Sequence, residues 1–393
     1  MTKGRLAFLL LSVAVLLPIV SGSLSRAATE EDSDEESLSK HLSVFSEVLS
    51  LIRRTYVEET SIDELLSGAL DGTTDALDPM ATFVPASQVD PYREVRKIGS
   101  RHSGLTVAKE RGITFVVAVD PNSPGETAGL EQGDIIAKFN ERSSRRLPLW
   151  QVQTILAAEP GTELELEVIR RGQTLDLTLV LGSYATAPPE LGERSGLSVL
   201  RIARFDREDL DEMRAALAGL VDEGRDKLLI DVRGVAGGSA EAAFAMAGLF
   251  VDGSLGELSS RDEATLHFQS QEKSVWRGDT VVLIDRGTQG PAEVFATVLR
   301  QGVGSQLVGR RSFGHAGRQR LLSLSDGSQL LLTDAFYSGP DGKPIDRSLD
   351  PDVVVSEFNR RRMEEEITLD ELTLERGLEL LLKLPAEAVE DVA

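Results

Sequence analysis

Apolar residues at Leu42, Phe45, Val48, Leu49, Ile52 and Tyr56 recur mostly at three- and four-residue intervals, the stripe of an amphipathic helix. A second helix is predicted from Ile62 to Leu77, with Asp63 and Glu64 in its first turn, where the helix dipole favours them. Asp78-Pro79 ends it, because the residue before proline is pushed out of the α region. The period then changes. Ile113–Val119 is rich in β-branched residues and Leu164–Ile169 alternates apolar with charged, both strand patterns, and a helix is expected at about Trp150–Ala158. Ala185–Glu190, holding Pro188-Pro189, reads as a linker. Strands and helices then alternate over 195–356. Leu197–Ile202 is a strand, and Glu208–Glu223 a helix with Leu210, Met213, Leu217 and Leu220 on one face. Leu228–Val232, apolar apart from Asp231, and Thr280–Ile284 are runs of the buried parallel kind. Gly237-Gly238-Ser239 opens an Ala-rich helix to Phe250, and Pro291–Arg300 is another helix. This alternation predicts an α/β sheet with sites at the carboxyl ends of its strands. Asp326-Gly327 marks a hairpin between Leu321–Leu324 and Gln329–Thr333. A Leu-rich helix over 368–384 can pack back through Leu374, Leu378 and Leu381.

At the start of the chain Lys3 and Arg5 precede an apolar run, Leu6 to Val20, followed by small residues at Ser21, Gly22, Ser23, Ala27 and Ala28. The run is short for a bilayer core, which needs about 20 residues, and the pattern fits either a cleaved export signal or an N-terminal anchor. Either places the folded part outside the cytoplasm, periplasmic or otherwise extracytoplasmic, with residues 6–20 as a possible membrane tether. With no Cys, there is no disulfide framework, thiolate metal site, Cys nucleophile or lipobox. The four histidines, His41, His102, His267 and His315, have no metal-ligand spacing, so neither a metal nor a cofactor is expected. A net charge of −22 disfavours nucleic-acid binding. The run Glu30-Glu31-Asp32-Ser33-Asp34-Glu35-Glu36 reads as a solvated tether, or as an acidic docking tail.

Asn122-Ser123-Pro124-Gly125-Glu126-Thr127-Ala128-Gly129-Leu130-Glu131-Gln132-Gly133-Asp134-Ile135-Ile136 resembles the signature of PDZ domains. That resemblance implies a groove that takes a peptide C-terminus as an added strand and holds its carboxylate with backbone N–H groups. The segment similar to the carboxylate loop is Ser103, Gly104, Leu105, Thr106 and Val107, with Thr106 where Gly is more common. The helix at Trp150–Ala158 would form the other wall.

Two further segments resemble the Ser/Lys site of the C-terminal processing, or tail-specific, serine peptidases. Gly287-Thr288-Gln289-Gly290-Pro291-Ala292-Glu293 is followed by Ser312-Phe313-Gly314-His315-Ala316-Gly317-Arg318-Gln319. The resemblance implies that Gly290 stands at the position of the nucleophilic Ser and His315 at that of the general-base Lys, 25 residues on. Gln319, which in the family orients the Lys, is retained. Leu229-Ile230-Asp231-Val232-Arg233 and Gly237-Gly238 match the strand and loop that supply an oxyanion donor, with Val235-Ala236 in place of Asn-Pro. Gly290, Pro291 and Glu293 also make a good helix start in their own right. Thr288, Ser239 and Ser312 are neighbouring hydroxyls that a rearranged site could use with His315. Ser239 also reads as a helix cap, and Ser312 and His315 as loop residues.

The expected fold is therefore a tail-specific peptidase-type α/β core with a parallel or mixed sheet, a small PDZ β-sandwich with two helices, and an N-terminal helical region. The expected divisions are 1–28 signal or anchor, 29–40 acidic tether, 41–96 helical region, 97–184 PDZ domain, 185–194 linker, 195–358 core and 359–393 C-terminal helical segment. The leading functional expectation is a proteolytically inactive relative that binds exposed protein C-termini or unfolded polypeptide, on its own or beside an active relative. An active endopeptidase with a rearranged site and a structural scaffold are the alternatives.

Overall fold

The structure, a computed structural model, describes residues 39–356 and 367–384. The export segment, the acidic run and residues 357–366 therefore lie outside the described residues. Helix α1 covers 39–55, and Leu42, Phe45 and Val48 of its stripe are exposed. Helix α2 is Ile62–Asp75. The chain divides at residues 70 and 71 into two units. Among the described residues no helix is long and apolar enough to cross a membrane.

In the second unit, strand β1 (Thr82–Val84) and helix α3 (Val89–Ile98) come first. A small sandwich follows: β2 (Leu105–Glu110), β3 (Ile113–Val119), α4 (Pro124–Thr127), β4 (Ile135–Phe139), β5 (Arg142–Ser143), α5 (Leu149–Leu156), β6 (Glu163–Arg170) and β7 (Gln173–Val180). Its sheet runs β2-β3-β4-β6-β7, with β5 beside β4. On β6, Leu164, Leu166 and Val168 point into a core with Val116, Ile136, Phe139 and Val152, while Glu163 and Glu165 face water. This is the period of two read from the sequence. Ser123 caps α4 by accepting from the Glu126 N–H at 3.2 Å, and Pro124 occupies the first helical position.

The larger domain comprises β8 (Glu190–Arg194), β9 (Leu197–Arg201), α6 (Leu210–Asp222), β10 (Lys227–Asp231), α7 (Ala240–Ala247), β11 (Ser254–Ser260), β12 (Leu266–Gln269), β13 (Asp279–Ile284), α8 (Pro291–Gly302), β14 (Gln306–Gly309), β15 (Gly317–Ser323), β16 (Gln329–Ser338), β17 (Val353–Val354) and α9 (Leu369–Lys383). The central sheet is ordered β17-β14-β13-β10-β9-β8, parallel except for β8 against β9. Its strands read as continuous apolar runs because alternate side chains feed two cores. Leu228, Ile230, Val282 and Ile284 meet α6, α7 and α8 on one face. Leu229, Val281 and Leu283 meet Leu372, Leu378 and Leu381 of α9 on the other. A second, antiparallel sheet runs β1-β16-β11-β12, with β15 on β16.

Two expectations need correction. Glu190–Arg194, read as linker, pairs with β9 as β8; all five residues are exposed, and an edge strand without a buried face gives no alternation to read. The helix expected from Glu208 begins at Leu210, after a tight turn over Arg207–Asp209.

The sandwich is fastened to the larger domain by a buried ion pair. Arg204 Nη1 lies 2.7 Å from Asp120 Oδ2, with side chains 14% and 3% exposed. The Tyr184 hydroxyl donates to the same carboxylate at 2.5 Å, and Arg204 Nε reaches Asp206 at 3.1 Å. Asp120→Ala should destabilise the protein by about 3 kcal/mol, because it leaves the buried guanidinium with Asp206 alone and the Tyr184 hydroxyl without this acceptor. Denaturant unfolding of the variant measures this.

Candidate functional site

The loop from β13 to α8 is built around Asp285. Its Oδ1 accepts from the Gly287 N–H at 2.9 Å and the Gly234 N–H at 2.8 Å, tying the ends of β10 and β13 together. Thr288 is fully buried. Its Oγ1 donates to the Val232 carbonyl and accepts from the Asp285 N–H, both at 2.9 Å. The chain then reaches Gly290 with φ 54° and ψ −108°, immediately before α8. This is a sharp strand-to-helix turn, and the residue at its apex bears no side chain. A Cβ on Gly290 would meet nothing closer than the His315 carbonyl at 3.9 Å, so the position is open in space and restricted only by its dihedrals.

Glu293, one turn into α8 and wholly buried, joins the two site segments. Its Oε2 accepts from the N–H groups of Gly290 and His315, each at 3.0 Å. Its Oε1 accepts from the Gly314 N–H at 2.6 Å and the Ser312 hydroxyl at 2.5 Å. Burial pushes its carboxyl up to about 7, against the pull of these four donors. Ser312 Oγ also accepts from the Leu349 N–H at 2.7 Å.

His315 sits on the loop before β15, its side chain 10% exposed. Nε2 lies 2.9 Å from Thr333 Oγ1 on β16 and 3.9 Å from Asp78 Oδ1, and the ring meets the Phe336 ring edge-on. Burial holds the imidazole below its ordinary value despite Asp78. Gln319 stands opposite Thr333 in the β15–β16 ladder, just after a bulge at Arg318. Its Nε2 is buried without a hydrogen-bond partner among the described residues.

Gly237 and Gly238 follow β10. Gly238 has φ 102°, and a Cβ there would collide with the Phe205 backbone, so only glycine fits. Ser239 then caps α7, its Oγ accepting from the Ala242 N–H at 3.1 Å. Ser239→Ala should cost about 1 kcal/mol, the usual value of such a cap, readable as a lowered denaturation midpoint.

A cavity of about 270 Å³ joins these parts. Ser103, Leu105, Thr106 and Val107 line it from the sandwich, with Gln153 and Leu156 of α5 opposite. Ala236, Gly237, Gly238 and Gln319 line it from the larger domain. Gly290 and His315 are not among its lining residues. Gly104 has φ 70°, and its N–H donates to the Ser100 carbonyl at 2.6 Å, which turns the chain into β2. The structure thus brings Ser103, Leu105, Thr106 and Val107, the glycine loop and Gln319 to one cavity. Gly104, Gly290 and His315 are not in its lining, and the last two are joined through Glu293.

Four contributors were not singled out from the sequence: Thr333, Asp78, Arg204 and α3. Thr333 and Asp78 are ordinary strand and turn residues until the sheet closes. Helix α3 reaches the cavity because Tyr92 packs edge-on against Trp150 of α5 at 6.5 Å and its hydroxyl donates to Gln153 Oε1 at 2.5 Å. Among the described residues no group of three or more His, Asp or Glu side chains is placed to hold a metal ion.

Residues 196–355 match peptidase family S41 and residues 115–170 match the PDZ domain family. The carboxy-terminal processing protease CtpA of Bacillus subtilis (strain 168) is 26% identical over 361 residues, 87% of this chain and 74% of that protein. The carboxy-terminal-processing protease of Bartonella bacilliformis is 25% identical over 342 residues, 83% of this chain and 77% of that protein. The photosystem II D1 C-terminal processing protease superposes with a TM-score of 0.63 at 24% identity, over 84% of this chain and 95% of that structure, a likeness of fold.

Proposed function

We propose that this chain, with an S41 peptidase domain over 196–355 and a PDZ domain over 115–170, captures the C-terminal tails of exported polypeptides and does not cleave them. The carrying observation is the 270 Å³ cavity shared by the PDZ loop and the Gly237-Gly238 loop, with no hydroxyl nucleophile at Gly290. A tail entering along β2 gains main-chain hydrogen bonds and puts its last side chain among Leu105, Val107 and Leu156. Hydrolysis then requires an oxygen that can be deprotonated and can reach the bound carbonyl. Thr288 and Ser312 spend both hydrogen-bonding roles inside their loops, and Ser239 caps α7. Thr333, the hydroxyl beside His315, is carried on a strand, β16, and not at a helix start whose backbone donors could favour an oxyanion. What supports binding over a purely structural role is that the groove is open and leads to retained backbone donors. Export of the chain, with residues 6–20 as signal or tether, belongs to the same reading.

The test is one preparation assayed for binding and turnover with a peptide ending in apolar residues. Expected are saturable binding in the micromolar range and no product. Product formation abolished by Thr288→Ala, Ser239→Ala, Ser312→Ala or Thr333→Ala would overturn the inactive reading. Absence of binding to any tail would leave the scaffold.

A further inference from the structure

We infer that Arg96, at the end of α3, recognises the free terminal carboxylate of a tail bound in this groove; the inference rests on the tail-binding reading above. Two guanidinium groups line the cavity, those of Arg96 and Arg204. Arg204 is already committed. It pairs with Asp120 at 2.7 Å and Asp206 at 3.1 Å and donates to Ser100 Oγ at 3.3 Å. Arg96 is not. Of the three basic residues on α3, Arg93 pairs with Asp90 at 3.0 Å and Lys97 with Glu94 at 2.6 Å, while Arg96 makes no ion pair among the described residues.

Its position is set by the packing of Tyr92 against Trp150 and Gln153, which brings the last turn of α3 to the groove. From there the chain runs through Gly99 and Ser100, which line the same cavity, into the loop at Ser103–Val107. A strand added beside β2 with its carboxylate at the start of that loop would end near this turn. With no ion pair among the described residues, Arg96 brings a positive charge to the lining of this cavity, where it attracts a carboxylate. Arg offers a planar fork matched to a carboxylate, which Lys does not. The role is one of specificity: a chain end is preferred over an internal segment.

The experiment compares three versions of one apolar-ended peptide: free carboxylate, C-terminal amide, and free carboxylate with an Asp introduced three residues upstream. Each is titrated by fluorescence anisotropy against the wild-type protein, Arg96→Gln and Arg96→Lys. Wild type should prefer the free acid over the amide roughly tenfold, as a charge-assisted contact predicts. Arg96→Gln should reduce that ratio to about two by weakening the acid much more than the amide, and Arg96→Lys should recover part of it. Raising salt should shrink the wild-type preference. An acid-to-amide ratio that survives Arg96→Gln overturns the inference. So does an Arg96 effect seen only with the upstream Asp, because the guanidinium would then read a side chain. Failure of every peptide, the amide included, to bind any variant instead removes the tail-binding reading. Arg96 is exposed, so Arg96→Gln is expected to fold normally, checked by an unchanged unfolding midpoint.

Discussion

Replacing Gly290 by Ser together with His315 by Lys is expected to convert a protein without turnover into one that cleaves a bound tail and reacts with a fluorophosphonate at position 290. Gly290 lies on the sharp turn into α8, with φ 54° and ψ −108°, and a Cβ there meets nothing closer than 3.9 Å. A serine therefore fits sterically and costs roughly 1–3 kcal/mol of backbone strain. A lysine at 315 would replace a largely buried imidazole, and burial lowers an ammonium pKa toward the range of a general base. Gln319, whose buried Nε2 has no partner among the described residues, remains beside it. Restoring nucleophile and base together should raise peptide hydrolysis at least about a hundredfold over wild type, since the members of such a site act as a unit. Each single variant, Gly290→Ser or His315→Lys, should stay near background. The readout is product formation by mass spectrometry. The control pairs His315→Lys with Gly290→Ala, which keeps the new base but supplies no hydroxyl and should neither label nor cleave. A double variant with the serine that binds the peptide normally yet neither labels nor cleaves would show that more than two side chains separate this chain from chemistry.

The second large effect concerns stability. Glu293→Ala should destabilise the protein by about 4 kcal/mol, because it leaves the N–H groups of Gly290, Gly314 and His315 and the Ser312 hydroxyl without their acceptor in a buried place. The denaturant midpoint should fall with the m-value unchanged. Glu293→Gln separates charge from shape. The carboxyl has its pKa raised to about 7 in the folded protein, against the ordinary 4.5. The folded state thus binds more protons than the unfolded state between these values, and this group's contribution is present in full below pH 4.5 and lost as pH rises through 7. Glutamine does not titrate. The stability advantage of wild type over Glu293→Gln should therefore shrink by about 2–3 kcal/mol between pH 5 and pH 8. A difference that stays flat or grows with pH would mean that the four donors outweigh burial and hold the carboxylate ionised.

Much of the architecture was legible because its signals are local. The turn Ser123-Pro124 and the glycines after it specify a short capped helix whatever surrounds them. The apolar runs at 228–232 and 280–284 admit a two-faced buried strand and little else. The hairpin at Asp326-Gly327 is present, with β16 running on to Ser338. Strand β8 was missed because an exposed edge strand carries no burial pattern. Strand β1 joins a sheet whose partner lies far along the chain, with Thr82 opposite Leu331, and no nearby residue signals that pairing.

The same division runs through the site. Sequence alone determined that residue 290 has no nucleophilic atom and that residue 315 is an imidazole; these are facts of covalent identity. Only the tertiary structure decided where the neighbouring groups point. It turned Thr288 toward Val232, set Thr333 against His315, gave Glu293 four donors from two separate segments, and brought α3 with Arg96 to the mouth of the groove. Those outcomes depend on which distant surfaces pack together to remove apolar area from water, a competition over the whole chain that no short stretch of residues encodes.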